Sequence, residues 1–294
     1  MSPPPSLPPV VPGSPEGPWC GGKLSQRVTC VLAPNPGPMT LDGTNTYVLS
    51  EPGSSQAVVV DPGPHDPAHL DAVAATLATS GRHAAMVLLT HGHADHSAGA
   101  ADLARRLSCP VRAADPRHRS GPDGLADEDR LVIGGLHVAV VATPGHTGDS
   151  VSLVLPQDQS VLTGDTVLGR GTTVVAHPDG RLADYLASLD RLQRLVEREP
   201  EMTLLPGHGP AGASVSAVVA FYRAHRAARL DQVVAAVAAG ATDVEAVVAT
   251  VYAEVDRTLW PAARLSVQAQ RDYLVQSGRL VSVDGALQVS GRGA

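Results

Sequence analysis

Short apolar runs and helical repeats alternate along this chain, punctuated by Pro, Gly and Asp. Residues 27–32 and 46–50 read as strands, joined by a Pro/Gly-rich loop carrying Asp42-Gly43-Thr44-Asn45. A third apolar strand, 56–60, ends at Asp61-Pro62-Gly63. Leu70, Val73 and Leu77 recur at helical spacing, and Gly81 stops that helix. The run 85–89 is short and apolar, which predicts a central strand ending at Thr90. Leu103 and Leu107 extend a helix predicted from about His96 to Ser108, and 110–114, 136–143, 151–155 and 161–165 read as further strands. Leu182, Leu186, Leu189, Leu192 and Val196 mark an amphipathic helix, and Thr203-Leu204-Leu205 a last strand before Pro206-Gly207-His208-Gly209.

Beyond about residue 215 the texture turns helical. Residues 215–238 predict one or two helices, 242–254 another with Thr242 as N-cap, and 261–277 a third that opens on Pro261 and stops at Gly278. Two alternating strands, 280–283 and 286–289, then flank Asp284-Gly285, a hairpin signal. Three helices followed by a hairpin outline a winged helix. The expected organisation is a Pro-rich disordered tail over 1–22, a catalytic domain over 23–214, and a helical linker with a winged-helix domain over 215–294.

Composition narrows the class. With 294 residues and 43% apolar content the chain supports a large core, and no run approaches the length of a membrane span. Met1-Ser2-Pro3-Pro4-Pro5 reads as lacking a secretory signal, and three cysteines (Cys20, Cys30, Cys109) fit a reducing compartment, so the expected location is cytoplasmic. The net charge of -7 offers no global basic footprint for nucleic acid. Residues 216–294 hold eight arginines and seven acids without a basic stripe, so packing on the catalytic domain or formation of a homodimer is the expected role of the winged helix.

The chemistry concentrates in Thr90-His91-Gly92-His93-Ala94-Asp95-His96. His91 and His93 leave a strand end one residue apart and can converge on one cation, while His93 and His96 share a face once a helix starts near Asp95. Imidazole and carboxylate suit zinc, and also iron or manganese. His146, Asp165 and His208 stand at three further strand ends, which makes seven candidate ligands, enough for two metals per chain. A bridging carboxylate holds two such ions roughly 3.5–4 Å apart, and a hydroxide between them attacks an electrophilic carbon or phosphorus. Metal-assisted hydrolysis follows from the constellation.

These motifs resemble the metallo-β-lactamase superfamily. Thr90 to His96, Thr143-Pro144-Gly145-His146, Thr163-Gly164-Asp165 and Pro206-Gly207-His208-Gly209 carry the likeness. It implies an α+β chain with an αββα sandwich and the site at one edge of the two sheets. It also implies a first metal on His91, His93 and His146, a second on Asp95, His96 and His208, Asp165 as the bridge, and a proton-accepting role for Asp95. Gly43-Thr44-Asn45-Thr46-Tyr47, Leu168-Gly169-Arg170-Gly171-Thr172-Thr173 and Tyr222-x-x-His225-Arg226 resemble the narrower beta-lactamase-like protein two group, whose members carry a C-terminal winged helix. That group includes a single-strand endoribonuclease and fungal polyketide-releasing thioesterases. Thr147-Gly148-Asp149-Ser150 and His177-Pro178 depart from its pattern near the mouth of the site, so substrate identity does not transfer.

A thioester or other small-molecule acyl substrate is therefore the first expectation, and single-stranded RNA the second. A β-lactamase is disfavoured by Asp165. A single-iron sulfur dioxygenase shares much of the ligand set, and a winged-helix DNA-binding regulator with a dead hydrolase domain would not keep it whole. Asp61 either orients a ligand histidine or caps a turn before Pro62. Thr44 and Asn45 either donate to substrate or build a turn. His225 and Arg226 line the cleft or pin the two domains together, and His177 is a candidate substrate contact. His65, His69, His83, His118 and His137 read as surface or packing residues.

Overall fold

The computed structural model describes residues 11–14 and 17–290. Its first sheet runs in sequence order: β1 (Gly21–Lys23), β2 (Val28–Leu32), β3 (Asn45–Leu49), β4 (Gln56–Val60), β5 (His83–Leu88) and β6 (Val111–Arg112). The first four strands pair antiparallel. β4, β5 and β6 pair in parallel because helices cross between them: α1 (Pro67–Thr79), then α2 (Ala94–Ser97) and α3 (Ala100–Leu107). The second sheet contains β7 (Arg130–Ile133), β8 (Leu136–Ala142), β9 (Val151–Leu155), β10 (Ser160–Gly164) and β11 (Thr203–Pro206). A long crossover containing α4 (Leu182–Arg198) makes the last pair parallel.

Strand pleating explains the layers. On β4, Val58 and Val60 face the second sheet, where they meet Val138, Val140, Leu153 and Leu162. Ala57 and Val59 face outward and pack with Leu70, Val73 and Leu77 of α1 and Leu103 of α3. On the far side, Val154 and Val161 of the second sheet meet Leu182, Tyr185, Leu189 and Leu192 of α4. The result is helix, sheet, sheet, helix.

The apolar cluster under α4 does not stop at the sandwich. α5 (Val215–Ala238) contributes Val215, Val218 and Tyr222 to it at one end and Leu230, Val233 and Val237 at the other. There it joins α6 (Val244–Val251), α7 (Trp260–Gln276) and the hairpin β12 (Leu280–Val283) and β13 (Ala286–Val289). Asp284 and Gly285 both have positive φ, 51° and 83°, as a two-residue hairpin turn requires. Among the described residues no helix is long and apolar enough to cross a membrane.

Several expectations are corrected. Much of the 1–22 segment falls outside the described residues, and its described part, though largely exposed, is anchored at a few residues. Val11 is fully buried in the apolar cluster that includes α4 and α5, Trp19 Nε1 donates to Asn45 Oδ1 at 2.7 Å, and Gly21–Lys23 pairs with β2. One valine and one tryptophan anchor a stretch whose proline content suggested solvent. The helix expected over 96–108 is broken at Gly99, whose N–H donates to Gly63 O. A side chain on Gly99 would press on Leu70 and on the carbonyls of Pro64 and Gly63. Asp243, not Thr242, caps α6 by accepting from Ala246 N. β1 and β7 were not anticipated, although Leu131 and Ile133 alternate inward on β7.

The docked N-terminal segment is open to test. Val11→Asp sets a carboxylate in an apolar cluster and should lower the unfolding free energy by about 3 kcal/mol or more, read from urea denaturation. An unchanged midpoint would mean the segment does not dock.

Candidate metal centre

The strand ends of the two sheets meet along one edge. On the first sheet, Asp61 follows β4 and Thr90 follows β5 by two residues. Asp61 Oδ1 accepts from Thr90 N (2.8 Å), and Oδ2 accepts from Thr90 Oγ1 (2.6 Å) and lies 2.9 Å from His96 Nδ1. Asp61 thus ties the loop carrying His91 to the helical turn carrying His96. His91 Nδ1 lies 3.1 Å from Thr90 Oγ1, His146 Nδ1 lies 2.7 Å from Val174 O and 3.1 Å from Thr173 Oγ1, and His208 Nδ1 lies 3.1 Å from Gly43 O. Each of these four rings has one nitrogen occupied by an oxygen, which directs the other nitrogen into the common pocket.

The inward nitrogens form two groups. His91 Nε2 lies 3.1 Å from His93 Nδ1, which lies 3.0 Å from His146 Nε2. His96 Nε2 lies 3.2 Å from His208 Nε2, which is 3.2 Å from Asp95 Oδ2. Asp165 lies between them, its Oδ2 3.3 Å from His208 Nε2 and 3.7 Å from His146 Nε2. His93 and His96 therefore enter different groups. The expected shared face fails because His93 is the extended N-cap of α2, not part of its helical turn.

Ring nitrogens facing each other at these distances are what a cation would produce. Two ligands on a tetrahedral zinc ion at about 2.0–2.1 Å stand about 3.3 Å apart. Asp165 Oδ1 is buried without a hydrogen-bond partner, as a metal ligand would be. The donor set fits a metal. Burial, followed by the charge of His96, holds His91 well below the usual histidine range, and burial lowers His146 too. Burial also opposes charge on Asp165 and His208. Nevertheless His208 and His96 keep the Asp165 carboxyl well below its ordinary range, and Asp165 with Asp95 raises His208 to about 9. Buried carboxylates here attract positive charge strongly.

Gly207 keeps the pocket open. A Cβ on this residue would lie 2.3 Å from Asp165 Oδ1 and 2.8 Å from His96 Cε1. Thr44 and Asn45 are fully buried scaffold. Asn45 Nδ2 donates to Pro206 O (2.9 Å) and Gly209 O (2.8 Å), and Thr44 forms a backbone bridge to His208. Neither side chain is free for substrate.

The second domain reaches the site through α5. Tyr222 Oη accepts from Leu168 N and donates to Gly171 O, and Arg226 Nη2 donates to Thr173 O at 2.6 Å. Both clamp the 168–174 loop that supports His146. His225 and Arg226 also line a cavity of about 330 Å³ with His146 and Asp165. His177 does not: it pairs with Asp272 of α7 at 3.1 Å, in a pocket containing none of the seven residues. A second, polar cavity of about 650 Å³ opens on His93, with Arg117, His118, Asp149 and Asp179 in its walls. His118, expected at the surface or in packing, is half-buried over Gly92 in the wall of that cavity, a placement nothing local in the sequence marks.

Two substitutions test this architecture. Asp61→Asn should weaken metal binding about 10- to 100-fold in competitive chelator titration, since it removes the charge oriented on His96. Gly207→Ala should lower the metal content of the purified protein by elemental analysis while leaving its circular dichroism unchanged. Full metal content in Gly207→Ala would mean that Asp165 and His96 do not act there.

Comparison with known proteins agrees with this geometry. The Metallo-beta-lactamase superfamily model matches residues 39–208, and the Beta-lactamase associated winged helix domain model matches 244–286. The Beta-lactamase-like protein 2 homolog of Caenorhabditis elegans is 33% identical over 220 residues, covering 72% of this chain and 71% of that protein. An atrochrysone carboxyl ACP thioesterase of Aspergillus fumigatus is 37% identical over 191 residues, 63% of this chain and 57% of that enzyme. The crystal structure of a beta-lactamase domain protein from Burkholderia ambifaria shares the fold, with a TM-score of 0.78 over 96% of this chain and 97% of that one at 24% identity. More than half of the chain lies within the superfamily match, and the protein belongs to the metallo-β-lactamase superfamily, as a metal-dependent hydrolase with the associated winged helix domain.

Proposed function

We propose that the chain hydrolyses an acyl thioester with two zinc ions, one held by His91, His93 and His146, the other by Asp95, His96 and His208, with Asp165 shared. The observation that carries this reading is the pair of ligand groups joined at Asp165, opening onto a cavity with apolar walls. The chemistry such ions supply is an acidified water and a polarised scissile carbonyl. The chain's own part is orientation. Asp61 fixes His96, the 168–174 loop fixes His146, and the Gly43 carbonyl fixes His208. Asp95, its side chain 31% exposed, is the carboxylate of the group best placed to take a proton from the attacking water and pass it to the leaving thiolate.

The thioesterase relative supports an acyl substrate, and the apolar residues Leu41, Leu168, Val255 and Leu259 in the cavity suit one. Three free cysteines accord with a cytoplasmic setting.

Chelation of the purified protein should abolish thioester hydrolysis and zinc should restore it. Asp165→Ala should lower kcat by about 10²- to 10³-fold. Cleavage of labelled single-stranded RNA with every thioester left intact would overturn the reading.

A further inference from the structure

The cavity beside His146 and Asp165 carries charge that hydrolysis of a neutral acyl group does not require. Arg226 is only 4% exposed, yet it forms no ion pair among the described residues. Apart from its bond to Thr173 O, its guanidinium lies 4.8 Å from the Tyr185 ring centroid, and its Nε is buried without a partner. Arg229, one turn on, donates to Val251 O at 3.0 Å and lies 4.5 Å over the Tyr252 ring, again with no ion pair. His225 Nδ1, on the same helix, is buried without a partner. Arg170, on the same wall, is neutralised by Asp42 at 3.0 Å. Asp165, at the ligand end, is the sole carboxylate among the lining residues. Met39, Leu41, Val255 and Leu259 supply apolar lining to the same cavity.

A buried guanidinium without a counter-charge is unfavourable until an anion completes it. The two arginines also act on their neighbour: burial, then Arg226 and Arg229, push His225 down to about 4, so at neutral pH it is uncharged.

We propose that this cavity is an anion-selecting substrate pocket, taking an apolar body along Leu41, Val255 and Leu259 and a negatively charged oxygen group against Arg229 and Arg226. The proposal deepens the acyl-hydrolase reading and rests on it for the position of the scissile bond. The anion has two chemical sources, a carboxylate on the acyl half or a phosphate on the thiol half. The apolar walls suit the acyl half better. Arg226 doubles as the residue holding the 168–174 loop, so Arg229 is the side chain to remove, and because it also bonds Val251 O and lies over Tyr252, Arg229→Lys, which keeps the charge, separates charge from packing.

The test uses matched thioesters: 4-carboxybenzoyl against 4-carbamoylbenzoyl on N-acetylcysteamine, and benzoyl on 4′-phosphopantetheine against benzoyl on pantetheine. The charged member of one pair should show a kcat/KM about tenfold or more above its neutral partner, chiefly through KM. Arg229→Gln should bring that ratio towards one, and Arg229→Lys should retain most of it. The pair that responds identifies the half bearing the anion. Equal rates within both pairs, or a preference that survives Arg229→Gln, would overturn the proposal. Calorimetry of the wild-type protein with non-hydrolysable amide analogues of the same compounds reads the selectivity without turnover and without the variants. Should none of the thioesters be hydrolysed, the acyl-hydrolase reading fails, and the order of binding still decides the anion pocket.

Discussion

Two sheets packed face to face bring their strand ends to a common edge, and the buried carboxylate of Asp61 locks that edge in place. It accepts from the backbone and hydroxyl of Thr90 and lies against His96, so the end of β5 and the turn of α2 are held by one side chain. Buried charge of this kind is tolerable only when every oxygen is used. The Asp61 backbone itself sits at φ 49°, a left-handed conformation that short polar side chains tolerate better than most. The centre therefore depends on a strained residue outside the two ligand groups, held by the hydrogen bonds it makes.

Around that lock the electrostatics divide the centre. His91 and His146 are lowered by burial, while His96 and His208 lie with Asp165 and Asp95 and are raised. The two ligand groups thus meet one carboxylate from opposite sides, which gives Asp165 its particular position in the pocket. Glycine matters here through its missing atom: a Cβ on Gly207 would fill the space that Asp165 Oδ1 and His96 now share.

Much of this was legible beforehand. His91 to His96 stand together in the sequence, and His146, Asp165 and His208 each follow an apolar strand, so the pleat and the ends of strands announced their convergence. The hairpin around Asp284-Gly285 was equally plain, because only a turn with two positive φ values suits those residues there. What escaped was set by long-range packing. Val11 reads as part of a solvated tail yet is buried in the large apolar cluster, and His118 and Arg229 acquire their surroundings from segments far away in the chain. The separation of His93 from His96 was hidden for a smaller reason, one residue's difference in where a helical turn begins.

α5 runs the length of one apolar cluster that joins the sandwich to the C-terminal unit, and from its middle Arg226 grips Thr173, whose hydroxyl touches His146. The C-terminal unit is thereby a buttress of the reaction centre and not an appendage. Paring the protein down to its sandwich would remove much of this helix's support and slacken the His146 imidazole, far upstream of the cut. A minimal version of this enzyme has to keep its wing.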